Sequence, residues 1–194
     1  MRADVIVGDD GRARCGWVGV DPEYSRYHDE EWGIPLHGDR PLFEKLSLEG
    51  FQAGLSWISI LRRRDDFREL FHGFDPLQVA QMTADDVERL VHDARIIRNR
   101  AKILATISNA RVTVDLTSDD PGALDNLMWS FAPPPRKRPL SSLAEIPAVT
   151  AESTAMSKAL RKRGYSFVGP TTMYALMQSG GMVDDHVHAC WRAA

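Results

Sequence analysis

Apolar residues recur at helical spacing over most of this chain, and no series of alternating strands can be laid out along it. That pattern predicts an all-α fold. Asp39, Arg40 and Pro41 read as a helix start, with apolar positions running on from Leu42 to Leu61. Asp75 and Pro76 open a short helix, and Thr83, followed by Asp85 and Asp86, opens another with an acidic first turn. Helical spacing continues over 96–110 at Ile96, Ile97, Ile103, Leu104 and Ile107. Prolines at 133–135 and Pro139 mark a stiff, basic loop between two halves. In the last third, 150–163 reads as a helix with Met156, Ala159 and Leu160 on its apolar face, closed by Gly164. A short turn through Tyr165, Phe167, Val168, Gly169 and Pro170 leads into a second helix that ends near Ser179. Backbone N–H groups at such a turn can hold a phosphate without reading bases. The commoner role of a helical hairpin is plain core packing.

A chain of 194 residues with 43% hydrophobic residues can bury a sizeable core in one domain, or in two closely packed lobes. Its formal net charge of −3 weighs weakly against nucleic acid as a partner. Local sign matters more, and basic residues cluster at 62–64, 95–102, 136–138 and 161–163, although any one cluster is most simply a solvated helix end or loop. No apolar run approaches the roughly 18 residues of a membrane span. The N-terminal apolar patch is broken by Gly8, Asp9 and Asp10, short of a signal-peptide core, so the expected location is cytoplasmic with no membrane partner. In a reducing compartment the two cysteines, Cys15 and Cys190, are better read as buried thiols or metal ligands than as a disulfide.

His186 and Cys190 would project from one face of a helix, a usable pair of metal ligands, and Cys15 with His28 could complete a Cys₂His₂ set. Four protein ligands leave no position for a reactive water, so such a site is structural and ties the two ends of the chain together. By spacing alone, two unrelated buried thiols remain the simpler reading. A second constellation surrounds Glu49, placed mid-helix. Gly50, Ala53, Gly54 and Trp57 would fall on one helical face, a strip of small residues closed by an indole. Two glycines inside a helix cost about 1 kcal/mol each, which makes sense where a backbone or a flat ligand must approach closely. Trp17, Tyr24, Tyr27 and Trp32 cluster upstream, and a helix-packing notch with core aromatics accounts for the same residues.

These residues stand in blocks that resemble the 3-methyladenine DNA glycosylase I family of the helix-hairpin-helix glycosylases. The blocks are Arg14-Cys15-Gly16-Trp17, Tyr27-His28-Asp29-Glu30-Glu31-Trp32-Gly33, Leu48-Glu49-Gly50 with Ser56-Trp57, Asp86-Val87-Glu88-Arg89-Leu90, the turn from Gly164 to Gly169, and Asp185-His186-Val187. The resemblance implies a helical glycosylase domain over 11–194 behind an N-terminal extension over 1–10. It also implies a helix-hairpin-helix DNA-binding unit and a zinc ion joining the N- and C-terminal segments. Its zinc ligands fall on Cys15, His28, His186 and Cys190, with His188 a neighbour only. The base-binding, catalytic carboxylate falls on Glu49, and the pocket aromatics on Trp17, Tyr27 and Trp57, with Tyr24 beside them. DNA contacts fall on Gly164, Tyr165, Phe167, Val168, Gly169 and Pro170.

The implied activity is monofunctional excision of 3-methyladenine from double-stranded, alkylated DNA by a monomer carrying one structural Zn²⁺. Asp184 and Asp185 lie where many relatives in the wider superfamily carry a catalytic aspartate; next to a zinc ligand, Asp185 reads instead as a group supporting the metal. The alternative is a zinc-stabilised helical module that binds damaged DNA without cutting it. A carboxylate inside an aromatic pocket discriminates, because a pure binder needs none.

Overall fold

Among the described residues, side-chain caps set the starts of five of the ten α-helices. The computed structural model describes residues 3–193, so Met1, Arg2 and Ala194, at the outer edges of the expected extension and domain, lie outside the described residues. Helix α1 (Pro22–Glu30) begins where the Asp21 carboxylate accepts the backbone N–H groups of Glu23 and Tyr24. After α2 (Asp39–Gln52), α3 (Trp57–Leu61) and α4 (Arg64–Leu70), Asp75 caps α5 (Pro76–Ala80) in the same way. Thr83 with Asp86 closes a reciprocal capping box on α6 (Ala84–His92), and Asn99 caps α7 (Arg100–Thr117). Helix α8 (Ala123–Trp129) precedes the proline loop. A second capping box, Thr150 with Ser153, starts α9 (Ala151–Lys162), and Pro170 occupies the first turn of α10 (Pro170–Ser179).

The core is built around α2. Leu42, Phe43, Leu46, Leu48 and Phe51 of that helix are buried with Phe67, Phe71 and Phe74, with Ile103 and Ile107 of α7, and with Met173, Leu176 and Met177 of α10. A helix buried on nearly every side carries no amphipathic stripe, and its polar members, Lys45, Ser47 and Glu49, are buried with the rest. A second, smaller cluster joins Cys15, Tyr27, Trp32, Leu61, Leu140, Val187 and Cys190, with Trp57 packed against both. The aromatic-rich N-terminal segment and the C-terminal turn therefore meet, with Trp57 joining them to the core around α2.

The hairpin of α9 and α10 is fixed from behind. The Asn109 side chain donates to the Ser166 carbonyl at 3.0 Å and accepts its N–H at 2.8 Å. The Tyr165 hydroxyl shares a 2.9 Å hydrogen bond with that of Thr113, and the Ser157 hydroxyl donates to the Val168 carbonyl at 2.6 Å. Each bond satisfies a polar group that the packing of the turn buries or half-buries.

Several sequence expectations need correcting. The run of apolar positions from Leu42 to Leu61 is not one helix. The chain leaves helical geometry after Gln52, Gly54 adopts a left-handed φ of 83°, and α3 restarts at Trp57. Gly50, Ala53, Gly54 and Trp57 thus do not share one helical face: Gly50 lies in α2, Trp57 opens α3, and Ala53 and Gly54 lie between the two helices. Ile96 and Ile97 precede α7 in a turn, although Ile96 is still buried in the core. His186 and Cys190 do not lie on a helix: Val187 bridges Leu140, and the His188 N–H donates to the Leu140 carbonyl at 2.7 Å. Backbone bonded to a neighbouring segment is not available for the ladder of a helix. Finally, the mostly helical fold carries one small sheet among the described residues, in which β1 (Val5–Val7) pairs antiparallel with β2 (Ala13–Cys15). Part of the expected N-terminal extension is thereby hydrogen-bonded to the strand that bears Cys15.

Candidate active site and metal centre

Glu49, Trp17, Tyr24, Tyr27 and Trp57 surround one cavity of about 180 Å³, completed by Trp32, Gln52, Ile146, Ala175, Gln178 and Ser179. Drug-sized sites run to roughly 300–1,000 Å³, so this one suits a single flat heterocycle. Helix α1 supplies Tyr24 and Tyr27, the short 3₁₀ turn Gly16–Val18 supplies Trp17, α2 supplies Glu49, and the break after α2 swings Trp57 round to face them. The rings brace one another. Trp17 meets Tyr24 edge-on at 5.5 Å and Trp32 at 5.1 Å, while Tyr27 and Trp57 lie 5.5 Å apart. Tyr24 is anchored by its hydroxyl, which accepts the Ile58 N–H at 3.0 Å.

The polar atoms of this wall are conspicuous because the fold does not satisfy them. Glu49 is 3% exposed; its Oε1 accepts the Ser179 hydroxyl at 2.9 Å, and its Oε2 is buried with no protein partner. The indole N–H groups of Trp17 and Trp57 are buried and unpartnered too. Buried polar groups are nearly always paired, so unpaired ones gathered at a cavity mark a place where a ligand supplies the partners. Burial pushes the Glu49 carboxyl up to about 7, against the opposing pull of Lys45 and the Ser179 hydroxyl. Burial likewise raises the Tyr27 phenol, helped by the neighbouring Glu49.

A second site lies close by. Cys15, His28 and Cys190 bring ligand atoms within 4.8 Å of one another and could hold a metal ion. His28 is wholly buried; its Nδ1 is 2.8 Å from Asp29 Oδ1, and its Nε2 is 3.3 Å from the Cys190 sulfur. His186 repeats the arrangement, with Nδ1 2.7 Å from Asp184 Oδ1 and a buried Nε2 that has no protein partner. A carboxylate on one ring nitrogen, with the other left for the metal, is how metal-bound histidines are usually held, although His186 stands outside the group of three whose ligand atoms lie within 4.8 Å. The Cys15 thiol donates to the Cys190 sulfur, which holds Cys190 below the usual thiol range and Cys15 above it; His28 adds to the pull on Cys190. Gly33 leaves room for this centre, since a Cβ there would lie 2.7 Å from the His186 ring. The carboxylate that supports His186 is Asp184 and not, as the sequence implied, Asp185. Asp185 accepts instead from Tyr174, Gln178 and Arg136 at 2.6–2.8 Å and so orients Gln178 in the cavity wall.

Of the hairpin residues, Tyr165 and Val168 turn their side chains into the core, while Phe167 is 40% exposed with a left-handed φ of 58°. A Cβ on Gly50 would lie 3.5 Å from Phe167 Cβ, an ordinary contact, so the hairpin packs beside Gly50 without requiring a glycine there. Five residues of the basic clusters are held in ion pairs, Arg62 with Asp21, Arg64 with Glu31, Arg95 with Asp93 and Glu69, Arg100 with Glu88, and Arg136 with Asp185, whereas among the described residues the cluster at 161–163 forms none. Sequence reasoning left Trp32 off the cavity although it stood in the quoted aromatic cluster. It had no signal for Gln178 and Ser179, which reach the cavity only because α10 packs on α2.

A family model described as methyladenine glycosylase matches residues 17–193. A DNA-3-methyladenine glycosylase 1 of Escherichia coli (strain K12) is 51% identical over 178 residues, 91% of this chain and 95% of its own. Among solved structures, a 3-methyladenine DNA glycosylase I superposes with a TM-score of 0.89 at 47% identity, covering 93% of this chain and all of the other. A second, from Staphylococcus aureus and solved to explain 3-methyladenine recognition, gives a TM-score of 0.83 at 34% identity over 88% of this chain and 91% of its own.

The raised Glu49 carboxyl has a consequence for stability. A group whose folded value is raised works against folding as it ionises. Stability therefore falls as pH climbs from the ordinary 4.5 to about 7, by about 3 kcal/mol in all. Glu49→Gln escapes that loss and should gain on the native chain by this amount between pH 4 and pH 8, read from urea unfolding. A stability difference that does not change with pH would contradict the burial argument.

Proposed function

The chain belongs to the methyladenine glycosylase family, and on that premise we propose that it is a monofunctional DNA repair glycosylase that hydrolyses the N-glycosidic bond of 3-methyladenine in alkylated DNA. The observation that carries the reading is the half-satisfied Glu49 carboxylate, buried in the wall of an aromatic cavity the size of one base. Methylation at N3 leaves the adenine positively charged while it is still bonded to the sugar. Ring faces such as those of Trp17, Tyr27 and Trp57 attract a cation, by about 0.5–2 kcal/mol for each desolvated contact. Glu49 Oε2 accepts from the exocyclic amine, a charge-assisted bond of about 1.5–3 kcal/mol. Normal adenine lacks the charge and gains less from both.

Inside a duplex the base cannot reach such a cavity, so the nucleotide is flipped out at a cost of a few kcal/mol. The bond from C1′ to N9 then breaks with its electron pair going to the base, which leaves as neutral 3-methyladenine. Water adds to C1′ and loses a proton to the solvent. Because the leaving group is already charged, the site extracts and orients the base rather than protonating it. The α9–α10 pair serves as the helix-hairpin-helix unit. Of Gly164, Tyr165, Phe167, Val168, Gly169 and Pro170, the backbone N–H groups of Phe167, Val168 and Gly169 and the N-terminus of α10 that Pro170 opens are brought to a phosphate, while Gly164 and Tyr165 shape the turn by donating to the Arg161 and Leu160 carbonyls. Val168 contributes backbone alone, since its side chain is in the core. Gly169 stands beside the Arg161 guanidinium, 3.7 Å from where a Cβ would lie.

The second site fits zinc. Two sulfurs, and two imidazoles held at Nδ1 by carboxylates, are the donor set that Zn²⁺ prefers, and the orphaned Nε2 of His186 supplies the fourth ligand. With Cys15, His28, His186 and Cys190 all bound, the ion has no open position and contributes to folding, clamping β2 and α1 to the C-terminal turn.

Incubating the protein with methylated DNA and separating the released bases by chromatography tests the activity. The expected product is 3-methyladenine, and Glu49→Gln should lower single-turnover release about ten- to a hundredfold. Release of no alkylated base, or wild-type release by Glu49→Gln, would overturn the assignment. Metal analysis of the folded protein should find one zinc per chain. Cys15→Ala should lose the zinc and much of the stability, while each molecule that remains folded keeps its activity. Substoichiometric zinc in fully folded protein would contradict the clamp.

A further inference from the structure

Helix α2 buries a second ionisable group. Lys45 stands four residues before Glu49, on the same helical face, and is 8% exposed. It lines the neighbouring cavity of about 230 Å³ with Glu31, Glu44 and Arg64 rather than the aromatic one, and Ser179 borders both. Its ammonium lies 5.4 Å from the Tyr27 ring and 5.4 Å from the Trp57 ring, the same two rings that face Glu49 across the aromatic cavity. A lysine in a core position is rare unless its charge does something there.

The groups around Glu49 show what that is. From α10 comes the Ser179 hydroxyl, which serves Oε1 alone. From α1 comes the Tyr27 phenol, and from α3 the Trp57 ring. From α7 comes Lys102, whose ammonium is committed to the Phe51 and Ala53 carbonyls at 2.7 and 2.6 Å. Among the described residues the cation that acts on Glu49 is Lys45, which itself faces Glu31, Glu44 and Arg64. A carboxylate taken out of water stays charged only through hydrogen bonds or a nearby opposite charge. Here the hydrogen bonds stop at one oxygen.

We propose that Lys45 is a positioning residue for Glu49: held in the wall between two cavities, its ammonium opposes the cost of burying the carboxylate, keeps a fraction of it ionised at neutral pH and so keeps the pocket attractive to a cationic base. Because Lys45 lines the neighbouring cavity, it acts on the carboxylate without taking the place of the base between the rings. The functional half of this inference rests on the role given to Glu49 above; the electrostatic half does not.

The test uses Lys45→Met, which keeps length and removes charge, and Lys45→Arg, which keeps charge. The side-chain carboxyl resonance of Glu49, identified by its loss in Glu49→Gln, is followed by NMR against pH in each folded protein. Lys45→Met should move the midpoint up by about one pH unit or more, a tenfold change in ionised fraction below the midpoint, and Lys45→Arg should leave it near the wild-type value. Single-turnover release of 3-methyladenine from methylated DNA should follow. In Lys45→Met the rate at pH 7 falls about fivefold or more, and it recovers toward wild type as the pH is raised past the new midpoint. A Glu49 midpoint in Lys45→Met that coincides with wild type would falsify the proposal. A midpoint that moves while the excision profile stays fixed would uphold the hold of Lys45 on Glu49 and instead sink the role of Glu49 in base removal.

Discussion

A carboxylate kept almost wholly out of water, with one oxygen bonded and the other bare, is among the costlier groups a helical core can hold. The molecule is organised to prevent Glu49 from escaping that position. Helix α2 is buried on nearly every face, α10 delivers Ser179 to one carboxylate oxygen, and Lys102 ties down the carbonyls where α2 ends. Movement of α2 toward solvent would have to break the phenylalanine core on one side and the hairpin contact through Gly50 on the other. Rigid support of this kind is what a site needs if its unmet hydrogen bonds are to be met by a ligand and not by relaxation.

The two ends of the chain serve the same purpose. Trp17 and Tyr27 stand next to Gly16 and His28, close to the sulfur and imidazole cluster, and Trp32 touches both that cluster and the cavity. The cysteine–histidine cluster and the pocket are thus neighbours that share a wall. A metal bound by that cluster would fix the aromatic side of the cavity, as the core fixes the carboxylate side.

How much of this was legible in the sequence follows from the range of the interactions. Caps are local, so Asp75, Thr83 and Thr150 were readable, as were the hairpin and its closing Gly164. The helix break at Gly54 was hidden because the apolar spacing continues across it, and the pairing of Val187 with Leu140 cannot be seen from either segment alone. Glu49, the aromatics and the Cys and His residues were found through motif blocks. Lys45, Gln178 and Ser179 were not, because their roles arise only when α1, α2 and α10 come together. Asp184 and Asp185 exchanged parts for the same reason: adjacent residues face opposite ways, one to His186 and the other to Tyr174, Gln178 and Arg136.

The central claim is that a base sits among Trp17, Tyr27, Trp57 and Glu49 and supplies the partners those residues lack. The direct measurement follows the indole N–H resonances of Trp17 and Trp57 while free 3-methyladenine is added, with adenine as the control. Both resonances should shift to a saturating limit with 3-methyladenine, and adenine should move them much less. If neither indole responds, while residues lining the larger cavity of about 640 Å³ beneath the proline loop do, or if adenine moves both as far, the account of this pocket is wrong.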